Sequence, residues 1–478
     1  MKSLSTNGFR VFLWRTFGLQ AVLIWCVALP AFAANLAAGP MAGHRDARSV
    51  ILWLQADAKA SAQIEYWPAI GAAISAQRAR SAPVALAAQN DFAGQIEIAN
   101  LAPGTTYHYR VLLDGKGAAL PHHRQASQTA AFSTESLWQW RKHSFIAAQG
   151  HVAPDFKVAF GSCVYVNDPP FDRSLNPSGA FGAGYEIFNS IAAQQPDIML
   201  WLGDNNYLRE ADYASRSGIA YRYRRDRALP ELQTLLRTGH HYAIWDDHDF
   251  GPNDSNSSFI YKGETMKMFQ RYWANGVYGQ PETPGIFRVV SINDADFFLL
   301  DNRYHRDSDR EQHADKTMLG AGQLKWLKNA LLASTAHFKI VVSGGQMLKA
   351  VPTQFEGWSN FRDERSGFLD WLAIHRVGGV LFLSGDRHHT VLTKLERPGT
   401  YPLYDFTCSP LTANAYAPIK SEDMKDADAE TVVAQRNFCS LDFSGTWGQR
   451  LLTMKSFDAN GKELWRREIS VKDLAAAR

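Results

Sequence analysis

The stretch HHYAIWDDHDFGPND, residues 240 to 254, sets Asp246, Asp247, Asp249 and Asp254 around His248, directly behind a short apolar run. Each carboxylate raises the cost of ionising its neighbours, so the groups either stay apart in a hydrated turn or gather around a cation. Three further segments carry residues of the same kind. GSC at 161 to 163 offers Cys163, GDNNY at 203 to 207 puts Asp204 three residues before Tyr207, and SGDRHH at 384 to 389 supplies Asp386, His388 and His389. A carboxylate can bridge two cations, and a tyrosine beside a highly charged one such as ferric iron can bind as phenolate. Imidazole next to carboxylate suits a mixed site for a transition metal and a harder divalent ion. Each segment also has a plain reading: a rim aromatic for Tyr207, a buried small hydrophobe for Cys163, a charged surface turn for 384 to 389. Asp247 could complete a second cation's shell, which leaves His248 beside the metals and free to donate a proton. Asp249, Asn253 and Asp254 would fix that loop, orient His248 or add oxygen ligands. LLDNRYHRD adds Asp301, Arg303 and Arg306, where a planar guanidinium can grip phosphate with two hydrogen bonds or serve in a structural Asp-Arg pair.

These residues need a scaffold that brings distant segments together. From Lys157 onward, apolar runs alternate with amphipathic ones, the signature of an α/β layer fold. Strands are expected at KVAFGSCV, DIMLWLGD, HHYAIWDD, ADFFLLDNR, FKIVVSGG and GVLFLSGDR, and helices at YEIFNSIAAQQ, KGETMKMFQRYWAN, GQLKWLKNALLAS and RSGFLDWLAIH. Four of these strands run straight into Cys163, Asp204, the 246 to 249 cluster and the 386 to 389 cluster. Ligands of open α/β sheets bind beyond the carboxyl ends of strands, so these groups can converge. Residues 44–136 alternate apolar and polar with turn residues between, which predicts a small all-β sandwich. The segment IEIANLAPGTTYHYRVLLDG resembles the end of a fibronectin type III domain through Leu101, Pro103, Gly104 and Tyr107. A connector is expected over 137–156.

With 46% hydrophobic and 20% charged residues among 478, the chain is globular in composition. Its opening, basic and then apolar up to Ala31-Phe32-Ala33, reads as a secretory signal cleaved after Ala33; a retained membrane anchor is the other reading, against which the stretch is short and ends at Pro30. Removing residues 1–33 takes away Lys2, Arg10 and Arg15 and no acid, which leaves basic and acidic side chains in balance. That gives a nucleic-acid partner no support. Cys163, Cys408 and Cys439 remain in an exported chain, an odd number. If the fold brings Cys408 and Cys439 together they can pair, and a metal-held thiolate then accounts for Cys163.

The ordered series GSC, GDxxY, WDDHD, LDxR, GGQ and SGDRHH, over roughly residues 157 to 410 and behind an N-terminal sandwich, resembles the PhoD-type alkaline phosphatases among the calcineurin-like metallophosphoesterases. The resemblance implies a layered α/β sandwich, with helices flanking two mixed sheets, over 157–470. It implies that Cys163, Asp204, Tyr207 and His388 hold ferric iron and that Asp204 bridges to a second, calcium-like ion. For that ion Asp247 and Asp386 match the remaining carboxylates, Asn253 is a further candidate, and Gln346 stands where related enzymes place a histidine. His248 matches the proton donor, and Arg303 is a candidate catalytic group. The expected activity is an exported phosphohydrolase for small phosphate monoesters or diesters, with metals activating the attacking water. A phosphodiesterase or phospholipase-like activity and a non-catalytic extracellular binding protein are the competing readings. Asn205 and Asn206, where an apolar dipeptide is commoner in the family, would make the pocket wall more polar.

Overall fold

Short apolar strands followed by helices dictate a parallel sheet, because a parallel partner can be reached only through a crossover. All six expected strands and all four expected helices form in the computed structural model, which describes residues 33–69, 78–122, 129–136, 154–172, 180–349, 355–417, 419, 424–446 and 449–476. The expected signal, apart from Ala33, and positions 137–153 of the connector lie outside the described residues.

The first sheet has nine strands, in the order Glu463–Ser470, Leu451–Asp458, Asn437–Ser444, Phe156–Gly161, Ile198–Leu202, His240–Ile244, Leu36–Arg45, Val50–Ala56 and Ala93–Ile98. Its middle strands run parallel, with Val158 opposite Ile198 and Ile198 opposite His240. The second sheet runs Arg288–Ile292, Ala295–Leu299, Phe338–Val342, Val380–Ser384, Leu403–Thr407, Val391–Leu395, and its four central strands are parallel. The strands 198–202, 240–244, 295–299, 338–342 and 380–384 are buried at every position, which explains why they are mostly apolar, with His240, His241, Asp296 and Lys339 as the charged or imidazole exceptions. The two sheets share one core: Phe443 of the first meets Phe297 and Phe338 of the second, and Phe160 meets Phe406 edge-on at 5.0 Å. Truncating Phe443 to Ala would cost about 3–5 kcal/mol. A disulfide between Cys408 and Cys439 joins the sheets covalently. No helix among the described residues is long and apolar enough to cross a membrane.

The N-terminal strands form an all-β layer that is continuous with the first sheet. Leu36–Arg45 lies beside His240–Ile244, with Ala42 opposite His240, while Ala60–Pro68, Thr106–Leu113 and their short neighbours make a separate facing sheet. Val50–Ala56 consequently buries both faces. Leu52 and Leu54 enter the core of the sandwich, whereas Trp53 enters the large core and lies 5.5 Å from the Tyr272 ring. Tyr107 accepts a hydrogen bond from Ala102 N at 2.9 Å across the turn that Gly104 allows at φ 59°. That is the tyrosine corner of such sandwiches.

Several elements were not expected from the sequence, the strands 437–444, 451–458 and 463–470 among them, and two others have a plain physical reason. The strand Leu36–Arg45, LAAGPMAGHR, contains two glycines and Pro40 and no β-branched residue, so it reads as loop; it is held by neighbours on both sides and by an irregular register. The helix Arg216–Arg227 is too polar to show an apolar stripe. It is fixed instead by Ser215, which accepts from Gly218 N at 3.0 Å, and by buried Arg222, which pairs with Asp212 at 2.8 Å and Asp168 at 3.0 Å.

Candidate metal centre

The loops that leave the parallel strands pack directly on one another. A Cβ on Gly203, φ 93°, would lie 2.8 Å from Asp246 Cβ, and one on Gly344 would lie 2.4 Å from Asp246 Cγ. Glycine is required for both approaches. Asp249 organises the turn: its carboxylate accepts from the backbone N–H groups of Asn205 at 3.0 Å, Asn206 at 3.1 Å and Asp246 at 3.1 Å. It thereby ties the 204 to 207 loop to the short helix Asp247–Phe250.

Asp204 lies at the middle of the first group. Its Oδ2 faces the Tyr207 hydroxyl at 3.2 Å and the Cys163 thiol at 3.6 Å, and its Oδ1 accepts from His248 N at 3.3 Å. The Tyr207 hydroxyl is also 3.2 Å from His388 Nε2, while His388 Nδ1 meets the Asn414 carbonyl. Ser409 Oγ donates to Cys163 Sγ at 3.1 Å. Asp204, Asp247 and His248 each offer a ligand atom within 4.8 Å of the others. Cys163, Asp204, Tyr207, Asp247, His248 and His388 are therefore brought together by elements up to 225 positions apart in the chain. Asp386 adjoins them through its carbonyl, 3.7 Å from Cys163 Sγ.

Electrostatics fit this cluster to cations. Burial pushes the Asp204 carboxyl well above its usual range, and Asp247, Asp246, Asp249 and Asp386 push it further. Burial, with Asp246, does the same to Asp386, and burial, with Asp204 and Asp386, raises the Cys163 thiol. Such groups ionise together only around positive charge, and a coordinating thiol loses its proton outright. The donor set divides by softness. Cys163 and Tyr207 meet Asp204 Oδ2, with His388 beyond Tyr207, whereas Asp247 and His248 form a second grouping with Asp204.

The second group consists of Asp246, Asp247 and Glu356, again within 4.8 Å. Asp254 N donates to Asp247 Oδ2 at 2.8 Å. Burial and the nearby Glu356 push the Asp254 carboxyl up to about 7. Arg303 is fully buried between these residues, its guanidinium directed to Asp246, both oxygens of Glu356 and the Ser255 carbonyl. Of its two readings, phosphate grip or structural pair, this geometry is the structural one. Arg306 likewise pairs with Asp309, at 2.8 Å. Glu356 had no signal in the sequence, since QFEGW carries neither a motif nor a strand end.

The remaining candidates are placed as follows. Gln346 is buried, and its Nε2 donates to Thr407 Oγ1 at 3.0 Å, which leaves Oε1 as the atom able to face a cation. Asn253 is exposed, in the wall of a cleft rather than inside either group. Asn205 and Asn206, expected to make the pocket wall more polar, line a small inner pocket with Val164, Val166 and Trp201. Both are buried, at 6% and 3% exposure, and Asn205 Nδ2 turns inward to the Ile244 carbonyl at 2.7 Å.

Known proteins resemble this chain in sequence and in fold. The family model for PhoD-like phosphatase matches residues 176–455, more than half of the chain, and a domain of unknown function, DUF7800, matches residues 33–131. Alkaline phosphatase D of Bacillus subtilis is 23% identical over 295 residues, 52% of this chain and 48% of that protein, so the match spans about half of the relative. Among solved structures, that of PhoD superposes with a TM-score of 0.67 at 16% identity, covering 92% of this chain and 91% of the other. The purple acid phosphatase PPD1 from yellow lupin seeds gives 0.59 at 11% identity over 91% and 75%. Both share the fold. With its matched region spanning the second sheet and most of the site loops, the chain belongs to the PhoD-like phosphatase family.

Proposed function

We propose that this chain is an exported, metal-dependent phosphohydrolase acting on small phosphate esters. The observation that carries the reading is the place of Asp204, whose carboxylate faces Cys163 and Tyr207 with one oxygen and also belongs to one group with Asp247 and His248. Cys163, Tyr207 and His388 with Asp204 suit ferric iron; Asp247 and Asp386, with Gln346 through its amide oxygen, suit a hard cation such as calcium that shares Asp204. When bound, the two cations supply Lewis acidity that acidifies an attacking water and offsets phosphoryl charge during in-line displacement.

The chain's own groups do the rest. His248 is oriented by stacking on Tyr207, ring centroids 4.2 Å apart, and by Asp247 Oδ2, 3.8 Å from its Nε2. In that position it gives a proton to the departing alcohol oxygen. Arg303 positions Asp246 and Glu356, and Asp249 holds the loops in register. Export is supported by the basic and then apolar opening up to Ala33 and by the Cys408–Cys439 disulfide, which suits an oxidising compartment.

A diester reading is favoured by one feature: a cleft of about 900 Å³, with Asp254 and Glu356 in its wall, offers room for a second ester arm. Turnover of p-nitrophenyl phosphate and of its bis ester, before and after exhaustive chelation, tests both readings. Chelation abolishes turnover and metal restores it. Turnover that survives chelation contradicts the metal requirement, and the ratio of the two rates assigns monoester or diester preference.

A further inference from the structure

The cleft of about 900 Å³ is walled by the 308–316 loop, the start of the helix Arg362–Ile374, Asp254 and Glu356. Through the last two it shares residues with the second acidic group, because Asp254 N bonds Asp247 and Glu356 stands with Asp246 and Asp247. Whatever is attached to a phosphoryl group held there has this cleft to occupy.

Its charges are not equally available. Asp309 is taken by Arg306 at 2.8 Å, Glu356 by Arg303, and Glu311 by the N–H groups of Gln312 at 2.7 Å and His313 at 3.1 Å. Asp363 lies in the first turn of its helix, where N–H groups balance it. Lys316 Nζ bonds the carbonyls of Asp309 and Glu311, at 3.1 and 2.8 Å, which holds the loop in shape. Arg310 and Arg362 differ. Both are exposed and line the cleft, and neither guanidinium has an ion pair or hydrogen bond among the described residues. A guanidinium pairs with phosphate or carboxylate through two parallel hydrogen bonds.

We propose that the cleft is the subsite for the alcohol portion of the ester and that Arg310 and Arg362 select leaving groups bearing a second anionic group, a phosphate or a carboxylate. The assignment rests on the phosphohydrolase reading and adds the substrate class. It is tested with metal-loaded protein and two substrates, hydroxybutyl phosphate and its analogue with a second phosphate at the far end. The wild type prefers the bisphosphate by about fivefold in kcat/KM at low salt, as two exposed charge pairs allow. The preference shrinks toward about twofold, the statistical factor for a substrate with two equivalent phosphates, in the Arg310→Ala/Arg362→Ala double variant and in high salt. A wild type whose preference does not exceed that factor, or a larger preference that survives in the double variant, overturns the assignment while leaving the hydrolase reading intact. If the loaded wild type hydrolyses neither ester, the hydrolase reading fails and this assignment fails with it.

Discussion

Cys163, Asp204, Asp386 and His388 share a property that spacing hides: their φ angles are 62°, 52°, 66° and 54°. A side chain in the left-handed region costs about 1–3 kcal/mol at each such position, so the surrounding packing has to enforce it. Each follows closely on a buried strand, where the positive φ turns the chain sharply. These residues could be read as candidates because strand-end motifs are short and contiguous. Glu356 could not, because it enters the site from an irregular segment and its partner Arg303 lies 53 positions away. His248 is where the chemistry can be separated from metal binding. Its imidazole lies beside Asp247 without being one of the soft donors, so His248→Ala should lower kcat by about a hundredfold to ten-thousandfold while iron content persists. Loss of iron along with activity, measured by elemental analysis, would show that it is a ligand instead.

At the level of elements, the seam between the N-terminal strands and the parallel sheet depends on neutral imidazoles. His240 Nε2 accepts from Ser133 N at 3.2 Å, so its Nδ1 carries the proton given to the Gly43 carbonyl at 2.9 Å. His241 Nδ1 accepts from Trp201 Nε1 at 3.1 Å and its Nε2 meets the Leu235 carbonyl at 3.1 Å. A second proton on either ring would face an N–H group. Burial lowers His241 to about 3 and His44 to about 4, and depresses His240 well below its ordinary 6.5. The unfolded chain takes up protons near pH 6.5 and the folded one does not, so this contribution is whole above that pH and is lost as pH falls toward about 3. Buried Asp249, raised to about 7, has the opposite sign and gains as pH falls, so the histidine part must be isolated by difference. Between pH 6 and 4 the unfolding free energy of wild type should fall more steeply than that of His241→Gln, by up to about 1.4 kcal/mol per pH unit. Equal slopes in denaturant titrations would exclude the mechanism. The parallel strands were readable because burial on both faces leaves them mostly apolar. Leu36–Arg45 and Arg216–Arg227 were not, because a glycine-bearing strand and a helix locked by buried ion pairs owe their conformation to neighbours.

In the whole molecule, Trp53 and the shared sheet make the N-terminal layer part of the large core, and Ala34–Arg478 make up one compact unit. The disulfide closes a loop of 31 positions, so Cys408→Ser/Cys439→Ser should lose about 3–4 kcal/mol in a denaturant titration, if chain entropy governs. An unchanged midpoint would mean that the two sheets hold together without it. The proposed ligands come from both sheets, and the account depends on the Asp204 carboxylate that the two cations would share. The most direct test is elemental analysis of the purified protein beside Asp204→Asn. Wild type should carry about one iron and about one further cation per chain, and the variant should lose both while remaining folded. A folded wild type that turns over substrate without metal, or a variant that keeps its full metal content, would contradict it.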